Sequence, residues 1–230
     1  MATPYATVHL PSTPSTQDEA RARFEGAPLL LTTDRQSAGR GRRGRSWLEA
    51  TRPLAMSLAF ELPWPPPTWP RLTLVAGLAA AAALDEKASL DWPNDLVVGP
   101  NKVGGLLAEV SDGVVVVGLG VNLWWPESPE GMAGVFATDP GEASAAQVAA
   151  SFASDLLSRV GDGPEHWGRE DYRDRCVTLG GPVAWEGGAG VAVDVGADGS
   201  LVVETDQGTI ELHSSEVARI TRGTVPPMSQ

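Results

Sequence analysis

One cysteine, Cys176, leaves no partner for an intrachain disulfide. A chain without disulfides suits a reducing compartment, and Cys176 reads as a small packed hydrophobe rather than a nucleophile. Lysine is nearly absent, with Lys87 and Lys102 set against fifteen arginines. Long hydrophobic runs are missing too. The most apolar stretch, within 72–84, is mostly alanine and too short to span a bilayer. Residues 1–10 carry no lysine or arginine and no long apolar run, so they do not read as a signal peptide. Positive charge is scarce over the whole chain, which has a formal net charge of -12 and a pI near 4.6. That balance disfavours broad nucleic-acid binding. The expectation is a soluble, cytoplasmic protein with neither DNA nor membrane as partner. Its 230 residues, 42% of them hydrophobic, can bury a sizeable core as one or two domains.

Against that background the few basic residues are unevenly placed. Gly39-Arg40-Gly41-Arg42-Arg43-Gly44-Arg45, followed by Ser46-Trp47, sets four arginines among three glycines. Glycine lets the backbone take positive φ and approach a ligand closely. Arginine supplies planar forks that suit carboxylates and phosphates. The run reads either as a clamp that closes over an anion or as a solvated basic loop. Further on stand Trp92-Pro93-Asn94-Asp95, a short apolar stretch, and Lys102-Val103-Gly104-Gly105-Leu106-Leu107. A lysine beside two glycines, in a chain with only two lysines, is either a point charge that meets an oxyanion or the solvent-facing residue of a hairpin.

The pattern of apolar residues and breakers predicts a mixed, α+β organisation. A helix is expected over 15–25, with Ser15 or Thr16 as cap and Gly26 as stop. Strands are expected over 29–33, 54–62, 95–98, 102–110 and 114–123, with turns at Gly99-Pro100-Asn101 and Ser111-Asp112-Gly113. Five prolines and two tryptophans over 63–70 make a stiff connector. An alanine-rich helix buried on most faces follows to about residue 86. Residues 124–141 read as loop, 145–160 as an amphipathic helix and 165–175 as a shorter one. After 179 the texture changes to short strands at 183–185, 191–193, 201–203 and 209–212, separated by glycine turns. These suggest a small SH3-like barrel. The domains expected are 1–177, a barrel over 178–222 and a frayed tail over 223–230.

The motifs occur together in one order: Ser15-Thr16, Gln36, the Gly/Arg loop with its tryptophan, Trp92-Pro93-Asn94-Asp95, the Lys102 segment and Gly118-Leu119-Gly120-Val121-Asn122. Over residues 8–125 they resemble the biotin protein ligase family, in the form without an N-terminal winged-helix domain. The resemblance implies a mixed or antiparallel sheet flanked by helices. It implies ATP-dependent joining of biotin to a lysine of a biotin carboxyl carrier protein, through biotinyl-5′-AMP, by a monomer or weak homodimer using Mg²⁺. It also implies roles for residues. Ser15, Thr16, Gln36, Gly39, Arg40, Lys102, Gly104 and Gly105 would take biotin. Arg42, Arg45, Trp47, Asn94 and Asn122 would take ATP. Lys102 and Arg42 would serve catalysis, and Asp95 would hold Mg²⁺. Read by themselves, several have plainer uses: Ser15 and Thr16 as helix caps, Gln36 as a loop residue, Trp47 as a core anchor and Asp95 as the partner of an arginine.

Two positions depart from the family pattern. Gln17 follows Ser15-Thr16 where the family usually has asparagine. Asp91 precedes Trp92 where the family often has lysine, and a negative charge near phosphates would weaken nucleotide binding unless it points away. Strand alternation puts Asp91 and Trp92 on opposite faces without saying which face meets ligand. Rival readings are a lipoate-type ligase or acyltransferase, and a non-enzymatic module that binds nucleic acid or peptide.

Overall fold

The computed structural model describes residues 4–45, 47–48 and 50–215, and the backbone of 221–222. The tail expected at 223–230 lies outside the described residues. The chain begins with β1 (Ala6–Leu10), α1 (Thr16–Ala22) and β2 (Leu29–Thr33), then the Gly/Arg loop. There follow β3 (Arg52–Glu61), α2 (Arg71–Ala83), β4 (Ser89–Asp91), β5 (Asp95–Val98), β6 (Asn101–Ser111) and β7 (Val114–Trp124). These strands make one sheet in the order β1-β2-β3-β7-β6-β5-β4. Only β1 and β2 run parallel, because α1 carries the chain back between them.

The period of two in β2 sorts the sheet's faces. Leu29 and Leu31 pack with Ala20 of α1, Ala59 and Val116, whereas Leu30 packs with the large core under the longer helices. Those helices are α2 and α3 (Ala143–Gly161). α2 is buried from Leu72 through Ala81 at all but one position, since its small side chains let it settle between sheet and α3. The proline-rich connector is pinned by its tryptophans: Trp64 Nε1 donates to the Val160 carbonyl at 2.9 Å, and Trp69 Nε1 to the Trp64 carbonyl at 2.9 Å. Asp112-Gly113 joins β6 to β7 with positive φ at both residues, 54° and 80°. That is the tight hairpin such a pair favours.

α4 (Arg169–Arg175) leads to a second, antiparallel sheet of β8 (Pro182–Trp185), β9 (Gly188–Val195), β10 (Leu201–Thr205), β11 (Gly208–Leu212) and β12 (Thr221–Arg222), in the order β11-β10-β9-β8-β12. The two sheets share one apolar core, for Val183, Ala192, Leu201 and Val203 belong to the same cluster as Leu74 and Phe152. Polar contacts also join them. Trp92 Nε1 donates to the Gly199 carbonyl at 3.0 Å, and the Trp92 amide to Thr178 Oγ1 at 2.8 Å.

Several expected bounds shift. The first helix stops at Ala22 and the alanine-rich one runs only over Arg71–Ala83. The amphipathic helix is longer than expected, and the last helix begins only at Arg169 after a separate short turn, Pro164–His166. β1 and β4 were not expected. Both are sheet edges, five and three residues long, and neither has an apolar pattern long enough to register. No described helix is long and apolar enough to cross a membrane.

Candidate functional site

On the α1 face of the large sheet a cleft opens where side chains run out. Ser57 pairs with Gly118, and Gly105 pairs with Gly120. Gly105, Gly118 and Gly120 line this cleft of about 240 Å³. Trp47 lies across the strip, and a Cβ on Gly120 would stand 2.9 Å from its ring. Its indole Nε1 is buried without a hydrogen-bond partner.

The walls are polar at one end and cationic at the other. At the start of α1 the Ser15 hydroxyl caps the helix, accepting from the Asp18 amide at 3.4 Å. The Gln36 side-chain oxygen accepts from the Thr16 amide at 2.8 Å and from the Thr16 hydroxyl at 3.1 Å. Ser57 Oγ lies 2.9 Å from both Thr16 Oγ1 and Gln17 Oε1. Arg40, Arg42, Arg45 and Lys102 line the same cleft, with Asp95 the one carboxylate among its described lining residues. In a chain of net charge -12 this is a local positive field, suited to a small anion.

Lys102 Nζ is 2.6 Å from Asp95 Oδ1, both side chains about one-third exposed, and 5.9 Å from the centre of a Trp47 ring. Arg42 donates to Asn94 Oδ1 at 3.1 Å and also to the Ser214 carbonyl. Arg43 Nη2 donates to the Ser215 carbonyl at 3.1 Å. Burial, then the charges of Arg43 and Arg45, hold the Arg42 guanidinium below its usual value, while Asp95 opposes them. It stays a cation at neutral pH, one that a phosphate would relieve.

Of the residues expected at a site, Ser15, Thr16, Gln36, Arg40, Arg42, Arg45, Trp47, Asn94, Asp95, Lys102 and Gly105 all border this cleft. Three stand behind its wall. Gly39 packs against Gln36 and Trp47, and its carbonyl accepts the Trp47 amide at 3.0 Å. Gly104 faces the other side of β6, where a Cβ would meet Leu96 and the Gly120 carbonyl at 2.9 Å. Asn122 is fully buried and donates to the Ala133 carbonyl at 3.2 Å. It thus anchors the loop that carries Met132 to the cleft and does not itself line the cleft. Asp95 pairs with Lys102, where an arginine was the plainer alternative.

Both departures from the family pattern are accommodated. Asp91 is not a lining residue; it accepts from the Thr178 hydroxyl at 2.6 Å, toward the second sheet. Gln17 is buried beneath the slot and fills the space over Gly118, where a Cβ would lie 2.8 Å from its oxygen. The sequence reading missed Gln17, Leu48, Met56, Met132, Gly118 and Gly120 as lining residues. The alternating glycines of 118–122 signalled two of them. Nothing local signalled Met132, which arrives through a long loop.

Residues 9–123 match the biotin/lipoate A/B protein ligase family. A biotin–[acetyl-CoA-carboxylase] ligase of Mycobacterium tuberculosis is 30% identical over 218 residues, which cover 84% of this chain and 79% of that one. A biotin protein ligase from Aquifex aeolicus, solved in complex with biotin and ATP, superposes with a TM-score of 0.80 at 27% identity over 95% of this chain and 99% of that one. A biotin acetyl coenzyme A carboxylase synthetase from Helicobacter pylori, solved with biotinylated ATP, shares the fold with a TM-score of 0.65 at 22% identity over 90% and 100% of the two chains. Motif order, cleft and likeness along nearly the whole chain agree, and the chain belongs to the biotin/lipoate A/B protein ligase family, among its biotin protein ligases.

Proposed function

We propose that the chain joins biotin to a lysine of a biotin carboxyl carrier protein in two steps. A biotin carboxylate oxygen attacks the α-phosphorus of ATP, and the bond to the bridging oxygen breaks, releasing pyrophosphate. The carrier's neutral lysine amine then attacks the acyl carbon of biotinyl-5′-AMP. AMP leaves, and the amine loses its proton as the amide forms. One observation carries this reading: three arginines and Lys102 converge with Ser15, Thr16 and Gln36 on a single glycine-floored cleft.

Two anions must meet in the first step, so positioning and charge dominate. Lys102 is the group to bridge carboxylate and α-phosphate. Asp95 holds its ammonium aimed until the substrates compete for it. Ser15, Thr16 and Gln36 face the ureido ring. Arg42 and Arg45 take the phosphates, Arg42 exchanging a backbone carbonyl for a phosphate oxygen. Trp47 offers a flat face to the nucleotide base, and Asn94 orients Arg42. Magnesium enters as the substrate MgATP. A single carboxylate among the described lining residues fits an ion carried mainly by phosphates, with Asp95 as its protein contact. Closure of the second sheet into an SH3-like barrel, a unit boundary near 177, a cytoplasmic setting and a monomer or weak homodimer complete the reading.

The test is biotin-dependent pyrophosphate release from MgATP, with lipoate as competitor. Release with biotin and none with lipoate is expected. The opposite preference would make this a lipoate-type ligase. Calorimetry with biotin and ATP, alone and together, checks binding apart from turnover.

A further inference from the structure

Glu109 of β6 lies outside the cleft lining, yet its carboxylate touches two residues of that lining. Glu109 Oε2 accepts from Gln17 Nε2 at 3.2 Å and stands 3.5 Å from Arg40 Nη2. Gln17 is the buried residue under the slot, its oxygen 2.9 Å from the Ser57 hydroxyl that also meets Thr16. Arg40 belongs to the Gly/Arg loop and pairs a second time, with Asp18 of α1 at 2.7 Å.

Gln17 Nε2 has two hydrogens and three acceptors within reach: Glu109 Oε2, and the Leu107 and Val116 carbonyls at 3.3 Å each. The charged acceptor is the stronger one. Asparagine at this position, one methylene shorter, would not keep Ser57 and Glu109 together. The longer amide therefore does more than fill space over Gly118. It connects the slot's polar end to a carboxylate that also holds the loop.

We infer that Glu109 is a positioning residue that couples the polar end of the slot to the Gly/Arg loop, acting through Gln17 on one side and Arg40 on the other. Its effect on catalysis rests on the proposed biotin-adenylating activity; its effect on the loop does not. The Arg40 and Glu109 side chains are about two-fifths exposed, so the link is modest and salt-sensitive.

The experiment compares the full chain with Glu109→Gln, Gln17→Asn and the double variant. The first readout is trypsin nicking within 40–45 of the ligand-free protein, at low salt and at about 1 M salt. Glu109→Gln should be nicked about two- to five-fold faster than wild type at low salt, and at the same rate once the pair is screened. The second readout separates KM for biotin from kcat. KM should rise by a similar factor with kcat nearly unchanged, because Lys102 is untouched. Gln17→Asn should raise KM likewise, and the double variant should not add the two effects. Unchanged nicking and KM in Glu109→Gln overturns the inference. So does a change that persists undiminished in high salt, or effects that simply add. If the wild-type chain releases no biotin-dependent pyrophosphate, the functional reading fails, and the nicking comparison still decides whether Glu109 holds the loop.

Discussion

Lys102 combines two tasks that mutation separates. Its backbone holds the 131–133 loop, accepting from the Ala133 amide and donating to the Gly131 carbonyl, and any residue could do that. Its ammonium faces the cleft. Lys102→Ala should lower pyrophosphate exchange by about 10²–10³-fold, the scale of one donor aimed at developing charge. Its thermal midpoint should fall by no more than about 4 °C, because the pair with Asp95 is partly exposed. Near-normal exchange would remove the lysine from the chemistry. Cys176 behaves in the opposite way. Burial pushes its thiol up, against hydrogen bonds from Thr178 and Leu179, so the thiolate is scarce at neutral pH. A disulfide-exchange reagent at pH 8 should label the native chain slowly and the denatured chain at once. Since the folded value lies above the ordinary one, the neutral thiol's contribution to stability is complete below about pH 9 and is lost as pH rises further.

At the scale of elements, β6, β7 and the Gly/Arg loop act as one unit through glycine. Gly104→Ala presses a methyl onto the Gly120 carbonyl and Leu96, overpacking that should cost about 1–3 kcal/mol, read by denaturant unfolding. Gly120→Ala presses on Trp47 instead. Its cost should appear in biotin affinity by calorimetry more than in stability, because the loop can shift. The loop holds Arg43 at φ 56°, sparsely populated for a non-glycine residue, and lodges Arg42 and Arg43 against backbone carbonyls. Arg42→Gly removes one fork and keeps the loop flexible. Biotinyl-AMP should then escape and label lysines of bystander proteins diffusely, as seen by avidin blotting. A variant that makes adenylate but labels the carrier alone would show that Arg42 does not retain the intermediate.

At the scale of the whole molecule, the apolar core continues across the boundary proposed near residue 177. Apolar residues of both sheets share one cluster, and the join is sealed by a small polar knot. Thr178 Oγ1 accepts the Trp92 amide at 2.8 Å and donates to Asp91 at 2.6 Å, while Trp92 reaches Gly199. Thr178→Val would leave a buried amide unpaired, at a cost of about 1–3 kcal/mol. Calorimetry should show one cooperative transition in wild type and variant alike, shifted downward in the variant. Two separated peaks would mean that the sheets unfold as independent units.

The sequence by itself determined what depends on neighbours along the chain. Its loop of arginines among glycines, the Asp-Gly hairpin, the bounds of β2 and the residue types that suit anions are local chemistry. That local chemistry singled out the basic loop and Lys102, and the family resemblance added Ser15, Thr16, Gln36, Trp47 and Asn94 to the cleft. Tertiary structure decided what depends on register and distance. Only the pairing of β6 with β7 puts Gly105, Gly118 and Gly120 on the open face while turning Gly104 inward, because one residue of register exchanges the faces of a strand. Asn122 shares the face of Gly120 and is buried by the loop that its side chain holds at Ala133. Likewise, only the packing of the segment that leads into the second sheet draws Asp91 onto Thr178 and away from the cleft. No local pattern encodes which of two faces meets the ligand, for that choice is made by the elements that cover the other face.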